Sequence, residues 1–278
     1  MSYEAEVSRS NPSAFLFLID TSGSMLDPFG GGNGKRKAEG VSDAINQLLQ
    51  NLSIKCSKSE GIRDYYEVGV ISYGKDVKPA FGGKLSGKAI APVSEVANNP
   101  ARVLEKTKKV EDGTGGLAEQ KVKFPVWFEP RAAGKTPMCE ALRLATQTLG
   151  PWVESHKFSF PPVVINITDG ESTDGDPSPE ADGLVDLETQ DGNVLLFNCH
   201  ISSSSNPSTL FPDTAEGLPD RYAKMLFEMS SCLPETIREA AQREGFQVSD
   251  STRGFGFNAD LVELIRFLDI GTRPSNLR

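Results

Sequence analysis

FLFLIDTSGSMLD, residues 15–27, changes character within a few positions. Ala14 to Ile19 are apolar without a break, the pattern of a strand covered on both faces. Asp20 ends the run, and Ser22 and Ser24 follow at alternate positions with Gly23 between them. In an extended loop, alternate residues project to the same side, and glycine lets the backbone turn tightly between them. One carboxylate and two hydroxyls are thereby set at the lip of a buried strand.

The chain on either side decides what that strand belongs to. Lys35 to about Ile54 has the periodicity of a helix, with Ala38, Val41, Ala44, Ile45, Leu48, Leu49 and Leu52 on one stripe. Tyr65–Tyr73 (YYEVGVISY) is a second strand, and Val77–Phe81 a short third that can hairpin against it. TPMCEALRLATQTL, residues 136–149, opens as a helix, with Thr136 able to cap it and Pro137 suited to its first turn. Pro162–Thr168 and Val194–Ile201 are further buried strands. Arg221–Met229, Glu235–Arg243 and Asp260–Leu268 are helices. Strands alternating with helices predict an α/β fold built on a doubly wound, mostly parallel sheet. Residues 14–270 are expected to form one domain between tails 1–13 and 271–278. Residues 82–133, rich in Gly, Pro and Lys, are expected as an insertion. Within it the sequence suggests helices near Val93–Val96 and Ala101–Lys108 and a strand at Val122–Phe128.

With 278 residues, 38% of them hydrophobic, the chain is long enough for such a core. Its net charge of −9 argues against nucleic acid and against anionic membrane as partners. No stretch of about 18 apolar residues predicts a membrane span, and MSYEAEVSRSNPS lacks the apolar segment of a secretory signal. Cys56, Cys139, Cys199 and Cys232 lie far apart, without metal-ligand spacing, and are expected as reduced structural thiols of a cytoplasmic protein.

In a doubly wound sheet, ligands bind beyond the carboxyl ends of the strands, where strand order reverses. Asp20 ends the first strand, Asp169 follows Thr168 at the end of a later one, and the loop carrying Thr136 enters its helix on the same edge. If the two strands are neighbours, Asp20, Ser22, Ser24, Thr136 and Asp169 converge in a pocket of three hydroxyls and two carboxylates. An all-oxygen set suits a hard divalent cation, Mg²⁺ or Mn²⁺, rather than Zn²⁺, which favours Cys and His. With neutral hydroxyls on the metal, the ion stays electrophilic toward an incoming anion, for which an Asp or Glu of a partner protein is the natural candidate.

DTSGS at 20–24, GKTPM at 134–138 and TDG at 168–170 together resemble the von Willebrand factor type A (VWA) domain with a complete metal-ion-dependent adhesion site. The family pattern is Asp-x-Ser-x-Ser, a Thr in a second loop and an Asp in a third, and all five positions match. The resemblance implies a sheet with one antiparallel edge strand, helices on both faces, and metal-bridged capture of an acidic side chain without catalysis. It implies metal contact by Ser22, Ser24 and, in some members of the family, Thr136, with Asp20 and Asp169 usually acting through water. The stretches MSSCLPETIREAA (229–241) and RGFGFNADLVELIRFLDIGTR (253–273) resemble a bacterial intracellular subgroup encoded beside serine/threonine kinases and protein phosphatases. A signalling or scaffolding role with such partners is the corresponding expectation.

Other motifs are weaker. FGGGNGKRK (29–37) fails the phosphate-loop spacing, with Phe29 where Gly is required and Arg36 where Ser or Thr is required. The acidic run Glu171, Asp174, Asp176 and Glu180 has the look of a solvated loop. His156 and His200, the two histidines, have no nucleophile at triad spacing. The enzymatic alternative is a Mg²⁺-dependent phosphatase of haloacid-dehalogenase type, whose opening is DxDxT. Ser22 stands where that chemistry needs an acid/base carboxylate.

Overall fold

Residues Ser13–Asp20 form β1, buried along its whole length. The computed structural model describes residues 3–29, 34–111, 117–203 and 207–272. Residues 30–33 of the glycine run and 273–278 of the C-terminal tail lie outside them. After β1 come α1 (Lys37–Cys56), a small hairpin of β2 (Ser57–Lys58) and β3 (Gly61–Ile62), β4 (Tyr66–Tyr73) and β5 (Val77–Pro79). Next are β6 (Ala91–Pro92), α2 (Val93–Asn98) and a ribbon of β7 (Arg102–Glu111) and β8 (Leu117–Val126). The order closes with α3 (Met138–Ser155), β9 (Val163–Thr168), α4 (Ser178–Val185), β10 (Leu195–Ile201), β11 (Thr209–Leu210), α5 (Arg221–Met229), α6 (Glu235–Arg243), β12 (Phe255–Ala259) and α7 (Leu261–Gly271).

The main sheet runs β11-β12-β10-β9-β1-β4-β5, with β6 also on β4. From β12 to β4 every pairing is parallel. β5 and β6 run antiparallel to β4, and β11 antiparallel to β12. The fold is therefore the expected α/β architecture, with antiparallel strands at both edges rather than one. Since β4 lies on one side of β1 and β9 on the other, strand order reverses at the β1–β9 boundary, where a crevice opens.

Period-2 alternation sends β1 into two cores. Phe15, Phe17 and Ile19 join the cluster built with Val41, Ile45 and Leu49 of α1 and Leu264 and Phe267 of α7. Ala14, Leu16 and Leu18 join that of Met138, Leu142 and Leu149 of α3 and Leu226 of α5. A strand covered on both faces has to be apolar throughout, which is why the opening run is unbroken. Ahead of β1, Tyr3 N–H donates to Asp191 O at 3.1 Å, Glu4 N–H to the Asp191 carboxylate at 2.9 Å, and Val7 is buried.

Within residues 82–133 one expectation is corrected. Ala101–Lys108, whose Leu, Glu and Lys favour helix, lies largely in β7. β7 pairs with β8 from Arg102↔Val126 to Glu111↔Leu117, so cross-strand pairing overrides a weak local preference. Asn46 of α1 fastens the exit of the ribbon: its Oδ1 accepts Trp127 N–H at 2.8 Å, and its Nδ2 donates to Phe128 O at 2.8 Å. β12 and α4, absent from the sequence reading, complete the sheet and its flank. No helix among the described residues is long and apolar enough to cross a membrane. Cys56, Cys139, Cys199 and Cys232 are free thiols, the first three buried.

Candidate metal centre

Three loops meet at the carboxyl ends of β1 and β9. Asp20, the last residue of β1, has no exposed surface. Its Oδ1 accepts Ser22 N–H at 2.8 Å and its Oδ2 accepts the Thr168 hydroxyl at 2.9 Å. These bonds join the first loop to the end of β9. Ser22 and Ser24 lie on one side as alternation requires, their hydroxyls 2.9 Å apart. The Ser24 hydroxyl donates to Asp169 Oδ1 at 2.8 Å, across 145 positions of sequence.

Thr136 enters from the second loop. Its N–H donates to the Thr173 hydroxyl at 3.0 Å and its carbonyl accepts Thr173 N–H at 2.9 Å, which fixes it against the third loop. A Cβ built on Gly170 would lie 3.9 Å from Thr136 Oγ1, so that hydroxyl faces the residue next to Asp169. Hydrogen bonds thus join Asp20, Ser22, Ser24 and Asp169 at neighbouring strand ends, and the loop ahead of α3 brings Thr136 beside Gly170.

The expected capping role of Thr136 is corrected. The first turn of α3 is capped by Asp174, whose carboxylate accepts Cys139 N–H at 3.1 Å and Glu140 N–H at 2.9 Å. Those amide bonds and the Ser172 hydroxyl outweigh burial and hold the Asp174 carboxyl below its ordinary range. One member of the acidic run is therefore a helix cap, and the Thr136 hydroxyl is spared for other work.

Two glycines let the loops touch. A Cβ on Gly74, just after β4, would stand 2.6 Å from Thr21 O. Gly134 has φ +90°, and its Cβ would stand 2.4 Å from Lys75 N. The contacts made possible include Thr21 N–H to Tyr73 O at 2.7 Å, Gly23 N–H to Gly134 O at 3.1 Å and Ala133 N–H to Thr21 O at 2.7 Å. Beside them lies a cleft of about 650 Å³ whose lining includes Lys75, Lys135, Glu140, Thr173 and Asp174.

The electrostatics ask for a cation. Burial pushes the Asp20 carboxyl up to about 6, with Asp169 adding to the rise and the Ser22 and Thr168 hydrogen bonds opposing it. Asp169 already holds a cation: Lys37 Nζ lies 2.8 Å from its Oδ2, with 6% of the lysine side chain and none of the aspartate side chain exposed. Two carboxylates and three hydroxyls, one of the carboxylates already paired with an ammonium, fit a hard divalent ion by their donor chemistry. The sequence pattern gave no role to Lys37 or Gly74, marked Gly134 only through the Gly-Lys-Thr-Pro run, and presented Asp174 as a solvated residue of an acidic loop.

His200, next to last in β10, lies beside this crevice, stacked on Phe257 at 4.6 Å between ring centroids. Its Nδ1 accepts Asn258 N–H at 3.3 Å. Tyr222 closes the flank, its hydroxyl bonded to Gly170 O.

No family model matches the sequence, and no curated protein matches it significantly. Several solved structures are similar at low identity. Proximal thread matrix protein 1 from the mussel byssus, described with a zinc-occupied MIDAS motif, is 15% identical over 70% of this chain and 37% of its own, with a TM-score of 0.40. The manganese-loaded TRAP protein of Plasmodium vivax is 15% identical over 95% of this chain and 74% of its own, at 0.42. The vWF domain of the type V pili tip protein Mfa5 from Porphyromonas gingivalis is 12% identical over 58% and 38%, at 0.32. This chain therefore spans well under half the length of the first and the third.

Proposed function

We propose that this chain is a non-enzymatic, divalent-metal-dependent protein-binding module of VWA type. In this reading Asp20, Ser22, Ser24, Thr136 and Asp169 hold Mg²⁺ or Mn²⁺. Bound there, the ion supplies an electrophile for an Asp or Glu side chain presented by a partner protein. The observation that carries the reading is the hydrogen-bonded chain Ser22–Ser24–Asp169 at the reversal point between β1 and β9, with Asp20 bonded to Ser22 and Thr168 and the Thr136 hydroxyl beside Gly170. The chain's own part is to fix the donors. Backbone bonds among the three loops set the spacing, and the β1–β9 register holds the two carboxylates together. The neighbouring cleft offers a partner segment both lysines and carboxylates to contact.

The finer assignment is an adaptor in cytoplasmic serine/threonine kinase–phosphatase signalling, with residues 14–270 acting as one unit. The likeness of residues 229–241 and 253–273 to the bacterial intracellular subgroup supports it, as do the free cysteines.

Calorimetric titration of the full chain with Mn²⁺, and affinity capture from native cell extract with Mg²⁺ or with chelator, test the reading. Asp20→Ala is expected to abolish metal binding and capture together while the circular dichroism spectrum stays native. Capture that survives that substitution or chelation overturns the metal-bridged reading.

A further inference from the structure

We infer that Lys37 is a built-in counter-cation of the centre, anchoring Asp169 through Oδ2 and setting how tightly the divalent ion is held. The inference rests on the metal-binding reading above. Lys37 is the first residue of α1 and is 5% exposed, with Nζ 2.8 Å from Asp169 Oδ2. Nothing in the helix accounts for a cation at that position. The N-terminal end of a helix carries partial positive charge and disfavours a lysine, and a buried ammonium is costly unless paired. Asp169 is what keeps Lys37 in place.

The two oxygens of Asp169 have separate partners. Oδ1 accepts from Ser24, whose hydroxyl is paired with that of Ser22, and so belongs to the row of candidate ligands. Oδ2 is committed to Lys37. Asp20 and Asp169 bring two negative charges to the pocket and Lys37 returns one positive, which leaves a single net negative charge to hold a divalent ion. A unit charge 2.8 Å from a carboxylate of the pocket, and this poorly exposed to water, would change the binding of a divalent ion there many-fold. The lysine thus weakens the hold on the metal. Once the ion is bound, it leaves a net positive lip, which favours a partner's carboxylate over a neutral carbonyl.

Mn²⁺ titration of the full-length protein by calorimetry, with the wild type and three variants, tests this. Lys37→Met is expected to bind Mn²⁺ about tenfold more tightly than wild type. Lys37→Gln, neutral but still able to donate to Asp169, is expected to tighten similarly and guards against a folding defect in the first variant. Lys35→Met removes an equal charge from an exposed side chain that pairs with Asp43 at 2.6 Å, and is expected to change affinity by less than about twofold. Without metal, Lys37→Met is expected to melt below wild type, and Mn²⁺ to raise its melting temperature by more. If wild type binds Mn²⁺ and both Lys37 variants bind it no more tightly, the counter-cation assignment is wrong and the metal centre stands. If wild type and variants all fail to bind Mn²⁺, the reading of the centre itself is overturned.

Discussion

Asp20 and Asp169 face one pocket in opposite electrostatic circumstances. Asp20 is held by hydrogen bonds from Ser22 and Thr168, while Asp169 is locked to the Lys37 ammonium. Removing one partner of a buried ion pair costs roughly 3–5 kcal/mol, because the other charge is left without compensation. In chelator, Asp169→Asn is therefore expected to lower the unfolding free energy obtained from urea titration by that margin, and adding Lys37→Met is expected to recover most of the loss. A double variant no more stable than Asp169→Asn would show that the two charges are not energetically coupled. The same contrast explains what a sequence reader finds here. The five candidate ligands announce themselves through short motifs at strand ends. Lys37 does not, because its partner lies 132 positions away and its neighbours Lys35 and Arg36 look like ordinary solvated charges. Asp174 is hidden likewise, since only the folded chain reveals that it caps a helix beginning 36 residues earlier.

Among elements, the loops at the carboxyl edge are held by close approach of backbone, and glycine is what permits it. At Gly134, with φ +90°, a methyl group would meet the Lys75 backbone at 2.4 Å. Gly134→Ala is expected to destabilise the protein by about 2 kcal/mol and to weaken Mn²⁺ binding several-fold by moving the Thr136 loop away from Asp20. Gly183→Ala, at an exposed position of α4 with nothing within 4 Å of the new methyl, is expected to leave binding unchanged and to stabilise by about 0.5 kcal/mol. Equal metal affinities in the two variants would dissociate loop contact from the centre. Periodic elements such as α1 and β1 were legible because one face, or both, must be apolar. β7 was misread as helix because its partner strand, rather than its own composition, decides its conformation. β12 escaped notice because Gly256 and Asn258 interrupt an apolar run that is only five residues long.

Over the whole molecule, the sheet brings to the crevice a group that no part of the proposed binding uses. His200, next to last in β10, is pushed down from 6.5 to about 4, chiefly by burial; Asp169 and Asp220 raise it and Lys37 lowers it. The folded protein holds this imidazole neutral at pH 7, whereas the unfolded chain takes up a proton as pH falls below 6.5. Its contribution to stability is therefore complete above that value and is lost progressively down to about 4, below which both states are protonated. After discounting for partial exposure, the loss is about 2 kcal/mol, or roughly 5 °C in melting temperature for a domain of this size. Acidification also relieves the self-repulsion of a chain with net charge −9, so the wild-type slope alone does not isolate the histidine. His200→Phe keeps a ring against Phe257 and cannot titrate, and its comparison with wild type isolates the term. Between pH 7 and pH 4.5, in chelator, the variant is expected to lose about 5 °C less than wild type. Parallel curves for the two proteins would mean that His200 titrates alike in the folded and unfolded states, and that the crevice is wetter than its packing implies.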